Sequence, residues 1–123
     1  MARRKISHIE GIAAIEKYLN SADRADLIIA VRYLLEELAA VAPGNTVEVR
    51  VAPFGATQCI EGPRHTRGTP PNLVEIEPEI WVDLAIGRVT WSQMVSQGKI
   101  QASGTRADLS EVLPLSIKGL KLE

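Results

Sequence analysis

The sequence predicts an α/β (α+β) domain in which helices cover one face of a mostly antiparallel sheet of four to five strands. Three observations predict it. Through residues 8–41 apolar side chains recur every three or four positions, the spacing of one helical face. From Thr46 the period drops to two, the signature of a strand with one buried side. After Leu73 short runs of both kinds alternate, each closed by glycine or proline.

The first helix is read from "SHIEGIAAIEKYLN", where Ile9, Ile12, Ile15 and Leu19 share a face and Ser7 stands as N-cap. A second follows "SAD", with Leu27, Val31, Leu34, Leu38 and Val41 in its stripe. Pro43-Gly44 stops it, since proline cannot continue the ladder and glycine frees the turn. Core packing accounts for this stripe; a membrane-surface helix would need a lysine-rich polar face.

In "TVEVRV" the valines 47, 49 and 51 point one way and Glu48 and Arg50 the other. "APFG" turns the chain and "ATQCI" returns it, making a hairpin. The loop "EGPRHTRGTPPN", Glu61 to Asn72, leads to a third strand, "LVEIE". Pro78 and Gly87 bound a helix whose inner side is Ile80, Trp81, Leu84 and Ala85. Thr90 and Gln93 have capping-box spacing for "WSQMVSQ", with Trp91, Met94 and Val95 expected inward. "KIQASG" is a fourth strand, and Thr105 with Asp108 predicts a final helix that buries Leu109, Val112 and Leu113 before Pro114.

Residues 1–123 fit a single domain with one core, with helix 8–20 at its periphery. A hydrophobic share of 46% against 24% charged argues for folding, and 4% aromatic leaves the interior to aliphatic side chains. Fourteen basic and fifteen acidic residues cancel, so no field draws the chain to nucleic acid or an anionic bilayer, and membrane contact is at most transient. No export signal is expected, because "ISHIEG" interrupts the apolar run that should follow "MARRK". The aliphatic run "LIIAV" is far short of the ~20 residues of a membrane span. Cys59 is the only cysteine and has no disulfide partner in the chain, which points to a reducing cytoplasm.

Catalytic residues are not expected. Cys59 and His65 could form a nucleophilic pair, but no orienting group or nucleophile elbow accompanies them, and a small buried strand cysteine explains Cys59 equally. His8 is placed at the frayed end of the first helix. Two separated histidines and one cysteine offer no metal cluster, and no glycine motif cradles a phosphate, so neither metal nor cofactor is expected.

The stretch "WVDLAIGRVTWSQMVSQGKIQASGTRADLSEVLPL" runs helix, glycine, short helix, "QGK", strand, glycine, helix. This order resembles the C-terminal half of the sterol carrier protein domain, at Gly87, Gln97, Gly98, Lys99, Ile100, Gly104, Leu109 and Leu113. With the preceding helix and hairpin the resemblance covers Asp23 to Leu115. The loop "EGPRHTRGTPPN" is similar to that of small bacterial sterol-carrier-like proteins and departs from the lipid-transfer members, where this region is more apolar.

The resemblance implies an apolar cavity between sheet and helices. Its lining would be Leu34 and Leu38 from the second helix and Val49, Val51 and Phe54 from the hairpin. Trp81, Leu84, Trp91 and Met94 would join from the middle helices, and Ile100, Leu109 and Leu113 from the C-terminal part. A closed core would use the same residues. A carrier of a lipid, fatty acyl or isoprenoid compound is one expectation; an accessory domain with a filled core, serving a partner enzyme, is the other. Arg64, His65 and Arg67 could meet a headgroup or an acidic partner, or pair with Glu61, Glu75 or Glu77 to brace the loop.

Overall fold

The computed structural model describes residues 6–62 and 72–121. In chain order the elements are α1 (His8–Ser21), α2 (Arg24–Val41), β1 (Val47–Val51), β2 (Gly55–Cys59), β3 (Asn72–Ile76), α3 (Pro78–Ile86), α4 (Trp91–Ser96) and β4 (Ile100–Ser103). The four strands form one sheet in the order β2-β1-β3-β4. Two of its ladders are antiparallel, β1 with β2 and β3 with β4, while β1 and β3 run parallel. The sheet is therefore mixed, with antiparallel pairing in the majority.

The alternation in β1 is realised as expected. Val47, Val49 and Val51 are fully buried, and register sets Val47 beside Cys59, Val49 beside Val74 and Ile76 beside Ile100. These side chains share the face that the helices cover. On the other face Arg50 stands between Ala56 and Glu75, and its Nε donates to Glu48 at 2.6 Å.

Local signals terminate most helices where the sequence places them. The Ser7 hydroxyl accepts from the Glu10 amide, and Thr90 and Gln93 make both bonds of the capping box. Pro78 opens α3 and Gly87 closes it in the left-handed region, its amide reaching the Asp83 carbonyl. Gly44 matters for a different reason. A Cβ there would sit 2.1 Å from the Ile60 carbonyl oxygen, so the turn after α2 reaches the end of β2 only without a side chain.

Besides Val41, assigned to the buried stripe of α2 but 56% exposed where that helix ends, four expectations are corrected. α1 buries Gly11, Ala14 and Ile15, leaving Ile9 83% exposed, because the helix lies on α2 through its smallest residues. Gly11 rests directly against the Tyr33 ring. Val95 faces outward, 48% exposed, since α4 has six residues and turns only Met94 fully inward. No helix follows Thr105. The Asp108 carboxylate accepts from the Ser110 amide at 2.8 Å in a turn, and the Leu115 amide donates to the Ala85 carbonyl at 2.8 Å. These two bonds hold the segment as turns, and it still buries Leu109 and Leu115.

The fourth correction concerns His8, which is a bracket and not a frayed end. Its Nε2 contacts the Lys118 carbonyl at 2.8 Å, and because a carbonyl only accepts, that nitrogen carries the proton. Nδ1 is then left to accept from the Tyr33 hydroxyl. One imidazole thus ties α1 to α2 and to the C-terminal segment.

Asn72 plays the same part across the sheet. Buried at the start of β3, it donates from Nδ2 to the Thr46 carbonyl at 3.0 Å, and its Oδ1 accepts from the Arg106 amide at 2.9 Å. Asn72→Asp keeps the shape and the acceptor but removes the donor and adds a buried charge. Urea unfolding should show a loss of about 1–3 kcal/mol at neutral pH, and a variant as stable as the parent would mean the bracket contributes nothing.

Candidate functional site

The layer between the sheet and the helices holds the expected lining residues. Leu34, Leu38, Val49, Val51, Trp81 and Leu109 are fully buried there, and Leu84 nearly so. Phe54, Met94 and Ile100 are buried at its margins, while Trp91 and Leu113 are partly buried against it. Ten of the twelve belong to one buried apolar cluster, and Trp91 and Leu113 pack against it. Sequence reasoning passed over Tyr33 and Leu115 and placed Ile15, Val47 and Val74 on apolar faces without counting them in the lining; all five are buried in the same cluster. Val47 and Val74 were legible from the alternation of their strands; Tyr33 sits beside the predicted stripe of α2 and carries a hydroxyl that disguises a core position.

Polar contacts position this layer. The Trp81 indole Nε1 donates to the Val31 carbonyl at 3.3 Å, which fixes α3 across α2. The turn that carries Phe54 is held to α2 from two directions: Arg32 Nε donates to the Phe54 carbonyl at 2.8 Å, and the Arg24 guanidinium lies 4.9 Å from the centre of the Phe54 ring.

A concavity lies on the solvent face of the sheet, an open cleft of about 470 Å³ whose lining includes Arg50, Glu75, Glu77, Gln97, Lys99 and Gln101. It is polar and of mixed charge, unlike the layer behind the sheet. Glu75 and Glu77, suggested as braces for the loop, belong to this cleft. Arg64, His65 and Arg67 themselves lie outside the described residues.

Cys59 sits fully buried in the apolar layer, and loss of hydration pushes its thiol up to about 11. A thiol so placed stays protonated at neutral pH and is a poor nucleophile. The sign of the linked stability follows. The unfolded chain releases this proton near the ordinary value of 9.0 and the folded chain only near 11, so stability is complete below pH 9 and declines as pH rises from 9 to 11. The unfolding free energy from urea titrations should fall across that window by on the order of 2 kcal/mol, and Cys59→Ala should remove this component of the decline. An unchanged pH profile in the variant would show that the thiol is not buried as described.

Among the described residues no three His, Cys, Asp or Glu side chains gather as metal ligands, and no helix is long and apolar enough to cross a membrane.

The family model described as bacterial SCP ortholog matches residues 23–115, from the N-cap of α2 to the buried Leu115. No curated protein matches the chain. The matched span contains the whole sheet, α2, α3, α4 and all twelve residues of the expected lining, and α1 lies outside it. On this match the chain belongs to the bacterial sterol carrier protein ortholog family.

Proposed function

We propose that the protein is a non-catalytic carrier that holds an apolar or amphipathic small molecule, of lipid, fatty acyl or isoprenoid type, between its sheet and its helices. The observation that carries this reading is the burial of ten of the twelve expected lining residues in one apolar cluster, with Trp91 and Leu113 packed against it, all within the family-matched span. Binding would be by partition, each buried methylene contributing about 0.8 kcal/mol. The domain would work in a reducing cytoplasm, without metal, cofactor or covalent step. Arg64, His65 and Arg67 stay in this proposal as a polar loop for the headgroup or a partner.

A labelled fatty acid should bind stoichiometrically and change tryptophan emission, with the partly buried Trp91 more accessible to quencher than the fully buried Trp81. Native mass spectrometry of freshly purified protein should show retained host lipid. No saturable binding across several lipid classes would sink the proposal.

The second reading is an accessory domain for a separate enzyme, with a filled core. It is favoured by Trp81, whose ring has no exposed surface and whose only polar atom is already bonded. Co-purification with an enzyme and no lipid would select it.

A further inference from the structure

The turn between β1 and β2 closes the apolar layer at one margin. Its Phe54 is 7% exposed and belongs to the core cluster, yet it is carried by only three residues, Ala52 to Phe54, between the two strands. Two exposed arginines of α2 converge on it. Among the described residues Arg32 bonds the backbone through Nε alone, and the two terminal nitrogens of its guanidinium, four N–H donors, have no protein partner there. Arg24 approaches the Phe54 ring through its central carbon, a contact that engages the π-face and consumes no N–H.

Two acids near them in sequence have backbone partners. The Asp23 carboxylate caps α2 through the Ala25 amide, and Glu36, one turn beyond Arg32, accepts from the Ile6 amide. Among the described residues neither Arg24 nor Arg32 forms an ion pair; Arg50 does, with Glu48. Two guanidinium groups with free forks thus flank the one aromatic side chain that seals this end of the layer.

We infer that Arg24 and Arg32 form an anion-binding mouth, which takes the carboxylate or phosphate of an amphiphile whose chain enters the layer where the Phe54 ring now lies. This rests on the carrier reading and names the ligand class within it. A planar carboxylate can accept two parallel N–H bonds from either fork, which gives the head a fixed seat while the chain partitions. Swinging the Phe54 turn outward breaks the Arg32 hydrogen bond and the Arg24 ring contact and uncovers the buried Phe54 ring; the ligand chain takes the place of that ring in the core, and the incoming anion restores partners to both arginines. Neutral lipids of equal length have no such compensation.

The test compares a labelled long-chain fatty acid with its methyl ester, on the parent, Arg24→Gln, Arg32→Gln and the double variant, with inorganic phosphate as a separate arm. The parent should prefer the acid. In the double variant acid affinity should fall by about tenfold or more, ester affinity should hold, and the Arg24→Lys/Arg32→Lys pair should retain much of the acid preference. Arg24→Gln alone keeps the Arg32 bond to the turn, so its result stands even where the double variant is less stable. Equal losses for acid and ester, or no loss for either, would overturn the anion role and leave the carrier reading intact. A parent that binds neither would overturn both. If inorganic phosphate alone saturates the arginines and never competes with the fatty acid, the site is one for free anions and the headgroup assignment is overturned.

Discussion

Trp81→Ala should cost ~3–5 kcal/mol of folding stability, the range for truncating a large buried aromatic. Trp81 has no exposed surface, packs where α3 crosses α2 against the sheet, and anchors that crossing through its bond to the Val31 carbonyl. Truncation leaves a void that the surrounding core can fill only by moving α3. The Val31 carbonyl keeps its bond within α2, so the lost indole contact is a smaller part of the effect. For a domain whose total stability is typically 5–15 kcal/mol, such a loss takes a large share. Urea unfolding of Trp81→Ala and Trp81→Phe separates the contributions: the Phe variant restores most of the volume and should recover more than half of the loss. A decline below ~1 kcal/mol in the Ala variant would mean that the layer around Trp81 is not packed as described.

Gly11→Ala should destabilise by ~3 kcal/mol, against the usual sign of that change. Alanine in the middle of a helix is preferred over glycine by about 1 kcal/mol, so helix propensity alone predicts a gain. The tertiary contact decides otherwise. A Cβ on Gly11 would meet Tyr33 Cγ at 2.2 Å and both adjacent ring carbons within 2.6 Å. The ring cannot step aside, being fully buried with its hydroxyl bonded to His8. α1 must therefore lift from α2, exposing Ala14 and Ile15. Thermal melts settle the sign: a higher melting temperature for Gly11→Ala would show that α1 is not seated on Tyr33. Pairing the change with Tyr33→Leu, which removes the ring, should recover part of the loss, a coupling that propensity cannot produce.

Much of the candidate layer was legible because its residues obey short periods. Val49 and Val51 follow from alternation in β1, Leu34 and Leu38 from the stripe of α2, and Leu84 from the apolar side of α3. The arginines at its margin were not legible. Nothing within a few residues of Arg24 or Arg32 announces Phe54, which meets them only when the β1–β2 turn folds back over α2.

The sequence by itself determined where the chain becomes helical or extended through β4, and how most helices end, because caps, prolines and hydrophobic periods act between residues at most four apart. It also determined that one face of β1 is apolar. Which apolar residues a helix buries was decided by its partner: α1 turned Gly11 and Ala14 inward and left Ile9 in solvent, since the close approach to Tyr33 admits only small side chains. Tertiary structure decided the parallel pairing of β1 with β3, a relation between strands twenty residues apart that no local period encodes. It decided the last segment too. A capping signal at Thr105 and Asp108 lost to the Ala85 carbonyl, which draws the Leu115 amide onto α3 and keeps the chain from completing a helix.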